Sequence, residues 1–190
     1  NSGSLEAQIS SISDDIAYNN HDIQDGIRAK MFNLKDLIEI NFFKDIYKSH
    51  KKNIKNNNKD ILIYQIIRDS IDLMVRDLIK NTKNNLKINK IKSLKDIYKL
   101  DQSMVCFSSK FLNIEKEVKF FLRSKMYNNK KVLLKNNHGR KIVNKLFYKI
   151  KNNPRKFIAV HQLKNDPNRA IADFISGMTD RYAINLHKSI

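Results

Sequence analysis

Residues that end helices and form turns are scarce in this sequence, whose 190 residues include four Gly and two Pro. Sheets with many hairpins need such residues at short intervals, whereas a long helix needs none within its length. The sequence therefore predicts an all-α chain. Its 41% of hydrophobic residues is enough for packed helices to bury a core.

Apolar residues recur at helical spacing along most of the chain. On the first predicted helix, which Ser4 caps, they follow at steps of four, three and four residues: Leu5, Ile9, Ile12 and Ile16. Gly26 is a candidate end or kink of this helix. Further helices are predicted at 61–82, 111–126, 140–150 and 167–186, with a polar, low-complexity loop at 49–60. Gly177 falls inside the last helix, where we interpret it as a point of close approach by another backbone.

The charge of the chain is unevenly distributed. The formal net charge is +18, yet residues 1–27 contain no Lys or Arg and hold five carboxylates, Glu6, Asp14, Asp15, Asp22 and Asp25. Residues 28–164 carry +23 and are rich in Lys, Asn and Ile. Two interpretations of this segment stay open. One is codon drift in an A+T-rich genome at tolerant surface positions, and the other is a surface for nucleic acid or for the phosphates of a smaller ligand.

The polar face of the first helix differs from the rest of the chain because it lacks lysine. At about 100° per residue, Asp14, Tyr18, His21 and Asp25 lie within about 60° of one another, opposite the isoleucines. Such side chains can ligate a hard divalent cation, transfer a proton or bind an anion. An ordinary solvated face is the alternative, since one Asp does not make a metal site. We expect this face to pack against something or to line a cavity.

Several classes of protein are excluded by what the sequence lacks. The longest apolar run, 61–67, is far shorter than the roughly 20 residues of a membrane-spanning helix. Cys106 is the single cysteine, which excludes an intramolecular disulfide and a cysteine-based zinc site and predicts a reducing compartment such as the cytoplasm. No phosphate-binding glycine loop and no serine nucleophile elbow occurs. The other histidines show no metal-ligand spacing: His50, which we place in the polar loop, His138, His161 and His187.

Four segments resemble, in the same order, motifs of one family. LEAQISSISDDIAYNNHDIQDGIRA (5–29) resembles the "EAQ…DDIAYN.HD.DDG.RAG" segment of the bacterial deoxyguanosinetriphosphate triphosphohydrolase-like proteins, which are HD-domain phosphohydrolases. RDSIDLMVRDLI (68–79), MYNNKKV (126–132) and RAIADFISGMTDRYAINLH (169–187) are similar to three later motifs of that family. The first and the last of these are the most specific.

The resemblance implies an all-α, multi-helix HD-domain-type fold. It also implies hydrolysis of a deoxynucleoside triphosphate to deoxynucleoside and inorganic triphosphate, with a divalent metal, Mg²⁺ or Mn²⁺. In that family an upstream His, a His-Asp doublet and a later Asp hold the metal, and the later Asp matches Asp14. Tyr18 and Asp22 match the family's D-x-x-x-Y-x-x-x-D pattern, whose Tyr and second Asp approach the sugar and phosphates of the nucleotide. We assign no catalytic residue within this chain.

By the same resemblance, residues 1–190 are the C-terminal half of an HD-type domain. The active-site helix and the helix after it take up 1–47, the polar loop 49–60, and a C-terminal helical region 61–190. The expected partners are a deoxynucleoside triphosphate, the N-terminal half that carries the other metal ligands, and further copies of the chain. No membrane partner is expected. The alternative function is a basic module that binds nucleic acid, or an inactive remnant.

Overall fold

The computed structural model describes residues 3–51 and 59–190, and all of its regular secondary structure is helical, with no strand among these residues. The all-α prediction is confirmed. The chain divides into two compact units, one that ends at Asn129 and one from Lys130 to Ile190. None of the helices in the described residues is long and apolar enough to cross a bilayer.

The first unit contains three long helices and several short ones. Their bounds are α1 Leu5–Arg28, α2 Leu34–Leu37, α3 Asn41–Lys51, α4 Lys59–Ile88, α5 Leu94–Tyr98 and α6 Ser109–Leu122, and a π-helical turn, Arg123–Tyr127, continues α6. Helix α4 packs against both α1 and α3. The core that these helices share with α6 includes the fully buried side chains of Ile23, Phe43 and Leu122. A smaller cluster around Ile16 and Met74 joins α1 to α4.

Helix α1 runs through Gly26 and ends at Arg28, so Gly26 lies inside the helix rather than at its end. The end is a Schellman motif, in which the N–H of Met31 bonds the carbonyl of Gly26 and the N–H of Lys30 bonds that of Ile27. Lys30 takes the left-handed position with φ 55°, where glycine is usual. A Cβ built on Gly26 would lie 2.2 Å from Cε1 of Phe32, so the ring of Phe32 packs directly against the backbone of this glycine.

The segment 103–108 between α5 and α6 is fastened to two helices by side chains. The side-chain carbonyl of Gln8 on α1 accepts hydrogen bonds from Oγ of Ser103 (2.7 Å) and from the N–H groups of Met104 (2.9 Å) and Val105 (3.1 Å). Helix α4 holds the same segment at every fourth residue, through Asp77 to Ser108, Asn81 to the Cys106 carbonyl and Asn85 to the Met104 carbonyl. Thus the loop is held at both ends by groups on α1 and α4.

The predicted polar loop at 49–60 is shorter than expected at its two ends, because α3 continues to Lys51 and α4 begins at Lys59. The remainder of the prediction, 52–58, lies outside the described residues. The placement of His50 in a loop is wrong. His50 lies on α3, and its Nε2 is 2.6 Å from Oδ2 of Asp69 on α4.

The second unit is a separate three-helix arrangement. It consists of α7 Lys130–Asn152, two short 3₁₀ turns, Pro154–Lys156 and Val160–Leu163, then α8 Pro167–Ser176 and α9 Asp180–Ser189. Both α8 and α9 pack on α7. The core consists of the inward face of α7, Ile142, Leu146 and Ile150, with Ile158 and Ile171.

The last predicted helix is in fact two helices, and the interpretation of Gly177 is wrong. Gly177 caps the C-terminus of α8, and the side chain of Thr179 then caps α9 by accepting from the N–H of Tyr182. Among the described residues, only carbonyls of its own helix lie within 4 Å of a Cβ built on Gly177, so no other described backbone approaches it there. The close approach expected at a glycine is found at Gly26, and it is by a side chain.

Candidate functional site

Helix α1 presents the predicted site residues along one face. Its start is fixed as predicted, because Ser4 accepts a hydrogen bond from the N–H of Ala7. Asp14, Tyr18 and His21 are exposed, Tyr18 by 68% of its surface. The isoleucines at positions 16 and 23 are buried on the other side and hold the helix in place. In this chain the polar face of α1 is uncovered, and the expected packing partner is not among the described residues.

The two neighbouring carboxylates Asp14 and Asp15 have different surroundings. Asp15 accepts a hydrogen bond from Nζ of Lys119 on α6 at 2.9 Å, and Lys119 also contacts Glu115 at 2.7 Å. Burial lowers the pKa of Lys119, but its hydrogen bonds to Glu115 and Asp15 outweigh this and raise the pKa above its ordinary value. The side chain of Asp14 has no hydrogen bond or ion pair with a described residue, so its carboxylate is available to a ligand.

Asp22 is joined to a second matched motif. The hydroxyl of Tyr127 donates a hydrogen bond to Oδ2 of Asp22, and Tyr127 belongs to the MYNNKKV stretch. Partial burial, then the hydrogen bond and negative charge of Asp22, raises the pKa of Tyr127 to about 12. Tyr127 ends the π-helical turn, a distortion that is frequent at functional sites. The structure thus joins residues that lie 105 positions apart, which spacing along α1 did not reveal.

The C-terminal end of the same face carries a basic and aromatic pair. The guanidinium of Arg28 lies over the ring of Tyr64 on α4, 5.4 Å from its centroid, and donates a hydrogen bond to the hydroxyl of Tyr64. Arg28 also lies 4.0 Å from Asp25. Both Arg28 and Tyr64 remain largely exposed, so this pair borders the face without covering it.

The inner side of α1 is anchored by an asparagine of the matched string. Asn20 is 1% exposed, and its Nδ2 donates to the carbonyl of Ile16 at 2.8 Å and contacts Sδ of Met74 at 3.7 Å. Nδ2 of Asn19 is buried without a hydrogen-bond partner in the part of the chain that the structure describes. The rotation of α1 about its axis is therefore set by buried groups, which keeps the side chains of Asp14 and Tyr18 turned outward.

The described residues do not form a metal site by themselves. No group of three or more His, Cys, Asp or Glu side chains among them is arranged to hold an ion. An exposed carboxylate such as Asp14 is the kind of oxygen ligand that Mg²⁺ or Mn²⁺ takes, but these ions need several ligands. Asp14 therefore fits the role of one metal ligand among several. Any further ligands would have to come from outside the described residues.

Of the residues predicted for the site, the structure places Asp14, Tyr18 and Asp22 on one helix, and within the described part of the chain it links only Asp22 to another element. The sequence analysis missed Tyr127 as part of this face. The signal was present, since Tyr127 lies within one of the four matched stretches, but helical periodicity relates residues only within one helix.

Comparison with known proteins shows what this chain is similar to. Residues 105–189 match the model of the phosphohydrolase-associated domain. More particularly, the chain is 88% identical over all 190 residues to the deoxyguanosinetriphosphate triphosphohydrolase-like protein of Pelagibacter ubique. It is 35% identical over 196 residues to the protein of that name from Leptospira interrogans, and 34% over 192 residues to the one from Bartonella henselae. The predicted resemblance to this family is confirmed.

The chain spans about half the length of these curated relatives. It covers 51% of the Pelagibacter and Leptospira proteins and 48% of the Bartonella protein, while 98% or more of the chain itself is matched. The similarity therefore includes α1 and its polar face as well as the part that matches the phosphohydrolase-associated domain.

Proposed function

We propose that this chain forms part of the active site of a dNTP triphosphohydrolase, which cleaves a deoxynucleoside triphosphate to deoxynucleoside and inorganic triphosphate. The observation that carries the proposal is the polar face of α1. Asp14 and Tyr18 point outward about one helical turn apart with no side-chain partner among the described residues, and Asp22 follows one turn later. The names of the relatives, all dGTP triphosphohydrolase-like, supply the substrate class.

Each residue has a distinct role in this proposal. Asp14 is one oxygen ligand of a divalent metal, Mg²⁺ or Mn²⁺, and its exposed carboxylate suits that role. The exposed ring of Tyr18 offers an apolar surface and a hydroxyl to the deoxyribose. Asp22 accepts a hydrogen bond from a hydroxyl of the sugar, and Tyr127 fixes the direction of its carboxylate. A bound divalent metal would supply positive charge at the phosphate oxygens.

The remaining metal ligands, the upstream His and the His-Asp pair, belong in this proposal to the other half of the relatives' length. The chain by itself should then bind divalent metal weakly and have little or no hydrolytic activity. A homo-oligomer remains a prediction that goes with this proposal.

The test places the chain in a protein of full length. We would replace the matching half of the Pelagibacter relative, which is 88% identical, with this chain and measure triphosphate release from dGTP with Mn²⁺ or Mg²⁺. Removal of one metal ligand should lower kcat/KM by about 10²-fold or more, so we expect Asp14→Asn to be nearly inactive. Asp15→Asn is the matched control, since Asp15 is paired with Lys119, and it should keep parental activity.

Two results would contradict the proposal. The first is a folded, metal-loaded hybrid without triphosphate release, when the unmodified Pelagibacter relative is active in the same assay. The second is an Asp14→Asn hybrid as active as its parent. Loss of activity in both Asp14→Asn and Asp15→Asn would point to a general defect of α1 rather than to a ligand.

A further inference from the structure

The end of α6 and its π-helical turn carry three cations, of which two are paired. Lys119 lies 2.9 Å from Asp15, and Lys125 lies 3.6 Å from Asp36. Arg123, the third cation of the stretch 119–127, is exposed, and its side chain has no hydrogen bond or ion pair with a described residue. Within this stretch, Arg123 is therefore the cation that is available to a ligand.

Two contacts define how this stretch lies against α1. Nζ of Lys119 contacts Oδ2 of Asp15, and the hydroxyl of Tyr127 donates a hydrogen bond to Oδ2 of Asp22. The partners follow in the same order along the two elements, so α6 with its turn runs in the same direction as α1. The carboxylates are seven positions apart and their partners are eight positions apart. The two elements therefore stay in register from one contact to the other.

Arg123 lies halfway between these two contacts. It follows Lys119 by four positions and precedes Tyr127 by four, and the matching midpoint of α1 falls at Tyr18 and Asn19. Four residues of an α-helix turn through about 400°, so Arg123 lies within about 40° of Lys119 on the surface of its helix. Because Lys119 faces α1, Arg123 lies along the border of the polar face of α1, level with Tyr18.

The π-helical turn brings Tyr127 to the same border. The N–H of Asn128 bonds the carbonyl of Arg123, five residues earlier, at 3.0 Å. In a regular α-helix Tyr127 would be turned about 80° away from Lys119. A turn with such longer hydrogen bonds holds an extra residue and rotates Tyr127 back toward α1. Positions 119, 123 and 127 therefore follow one another along the polar face.

This face needs a cation if it is to receive a nucleoside triphosphate. It carries the carboxylates of Asp14, Asp22 and Asp25, which repel phosphate groups. Among Lys and Arg, α1 itself contains only Arg28, which lies over the ring of Tyr64 and 4.0 Å from Asp25. A triphosphate brings more negative charge than one divalent metal offsets. A guanidinium is suited to the remainder, since its planar fork matches two phosphate oxygens.

We propose that Arg123 binds the triphosphate group of the deoxynucleoside triphosphate, with its guanidinium on phosphate oxygens. This inference rests on the proposed function and adds the cation that the face of α1 lacks. Tyr18 is about 6 Å from Asp14 along α1, a distance that the long side chain of Arg123 can span. The same phosphates can therefore contact Arg123 and a metal held by Asp14. The role is one of binding and not of proton transfer, because a guanidinium stays protonated in proteins.

The test uses the full-length hybrid with the Pelagibacter relative and the two reaction products as inhibitors of dGTP hydrolysis. Inorganic triphosphate probes the phosphate part of the site, and deoxyguanosine probes the rest, with Mn²⁺ kept in excess over total phosphate. Arg123→Gln should raise the inhibition constant of triphosphate at least about tenfold, since it removes charge-assisted hydrogen bonds. The inhibition constant of deoxyguanosine should stay unchanged. Arg123→Lys should give a smaller rise for triphosphate, because the charge is kept and the fork is lost.

Lys110→Gln is the matched control on the same helix. Lys110 is exposed, and its position thirteen residues before Arg123 turns it about 140° away from it. This variant should leave both inhibition constants within error. Far-UV circular dichroism of each variant should match the parent, because the substituted side chains are exposed.

The proposal is overturned if Arg123→Gln is inhibited by triphosphate as the parent hybrid is. It is also overturned if the inhibition constants of both products rise equally, since that result indicates a distorted site. A parent hybrid without activity, when the unmodified Pelagibacter relative is active, would refute the proposed function and this inference with it. An active parent hybrid with unchanged triphosphate inhibition in Arg123→Gln would refute this inference alone.

Discussion

The packing of the Phe32 ring against the backbone of Gly26 allows a quantitative prediction for the stability of Gly26→Ala. Away from tight contacts, Gly to Ala within a helix gains about 1 kcal/mol. Here the new Cβ would be 2.2 Å from Cε1 and 2.5 Å from Cζ of Phe32, whereas carbon atoms pack at about 3.5–4.0 Å. The ring would have to retreat by more than about 1 Å.

The ring of Phe32 has little room to retreat. It is 6% exposed and meets Phe121 edge-on at 4.8 Å between centroids. Overpacking of such a core costs about 1–3 kcal/mol, and we take the upper end because both contacts are with buried groups. After the helix gain, Gly26→Ala should destabilise the first unit by about 2 kcal/mol and lower its thermal midpoint by roughly 4–8 °C.

The assay follows unfolding by circular dichroism and by the labelling rate of Cys106, the single thiol, which lies in the first unit and reports on that unit alone. Gly139→Ala is the matched control. No atom of the residues that the structure describes lies within 4 Å of a Cβ at this position inside α7, so this substitution should stabilise the second unit by about 1 kcal/mol.

A rescue variant separates the contact from other effects. Phe32→Leu removes the ring, so Gly26→Ala/Phe32→Leu should cost at least about 1 kcal/mol less than the sum of the two single changes. If Gly26→Ala is as stable as the parent chain, or if the stability losses of the two substitutions are additive, then the reasoning from the contact of Phe32 with Gly26 is refuted.

Three further predictions concern the first unit. Lys30→Gly should raise the free energy of unfolding by about 1 kcal/mol, because Lys30 occupies a left-handed position at φ 55°. The thermal midpoint should therefore rise, and an unchanged or lower midpoint would contradict this. Asp77→Ala should lower stability by about 2–3 kcal/mol, since Asp77 accepts from the N–H (2.9 Å) and the Oγ (2.7 Å) of Ser108, and Cys106 labelling should become faster. The raised pKa of Tyr127, about 12 in the folded chain, means that the folded state holds this proton more tightly than the unfolded one. Stability from this group is therefore complete below pH 10 and is lost as the pH rises toward 12, and Tyr127→Phe should make urea unfolding midpoints less dependent on pH in that window; the same dependence in both proteins would refute the assignment.

The helical class and several helix starts followed from local sequence. Ser4 caps α1, and Asp166 with Pro167 starts α8, because capping depends on residues within one turn. Helix ends were less predictable. The prediction of 140–150 became Lys130–Asn152, since the residues before Ile142 continue the helix without a buried side chain and are therefore not marked by the apolar pattern of its core face. Gly177 ends α8 because Thr179 then offers a new cap, a choice that periodicity does not reveal.

The residues of the candidate site could be predicted from the sequence, but their contacts with other helices could not. Helical spacing placed Asp14 and Tyr18 on one face of α1, and the resemblance identified the family. The contact of Asp22 with Tyr127, and the pairing of Asp15 but not of Asp14 with an amine, depend on how α6 and its π-helical turn pack against α1. Such contacts between distant residues carry no periodic signal along the chain. The assignment of Asp14, Tyr18 and Asp22 to metal and nucleotide stays a prediction.

The attachment of segment 103–105 to Gln8 limits where this chain can be shortened. Chain ends usually tolerate trimming, because little else depends on them. Here one amide oxygen at position 8 receives three hydrogen bonds from residues more than ninety positions later, and the same side chain donates to the carbonyl of Gly3. A deletion through residue 8 would leave the two N–H groups at 104 and 105 without their acceptor beside a buried Val105. For expression and crystallisation, boundaries and tags on this chain should therefore leave residues 3–8 in place.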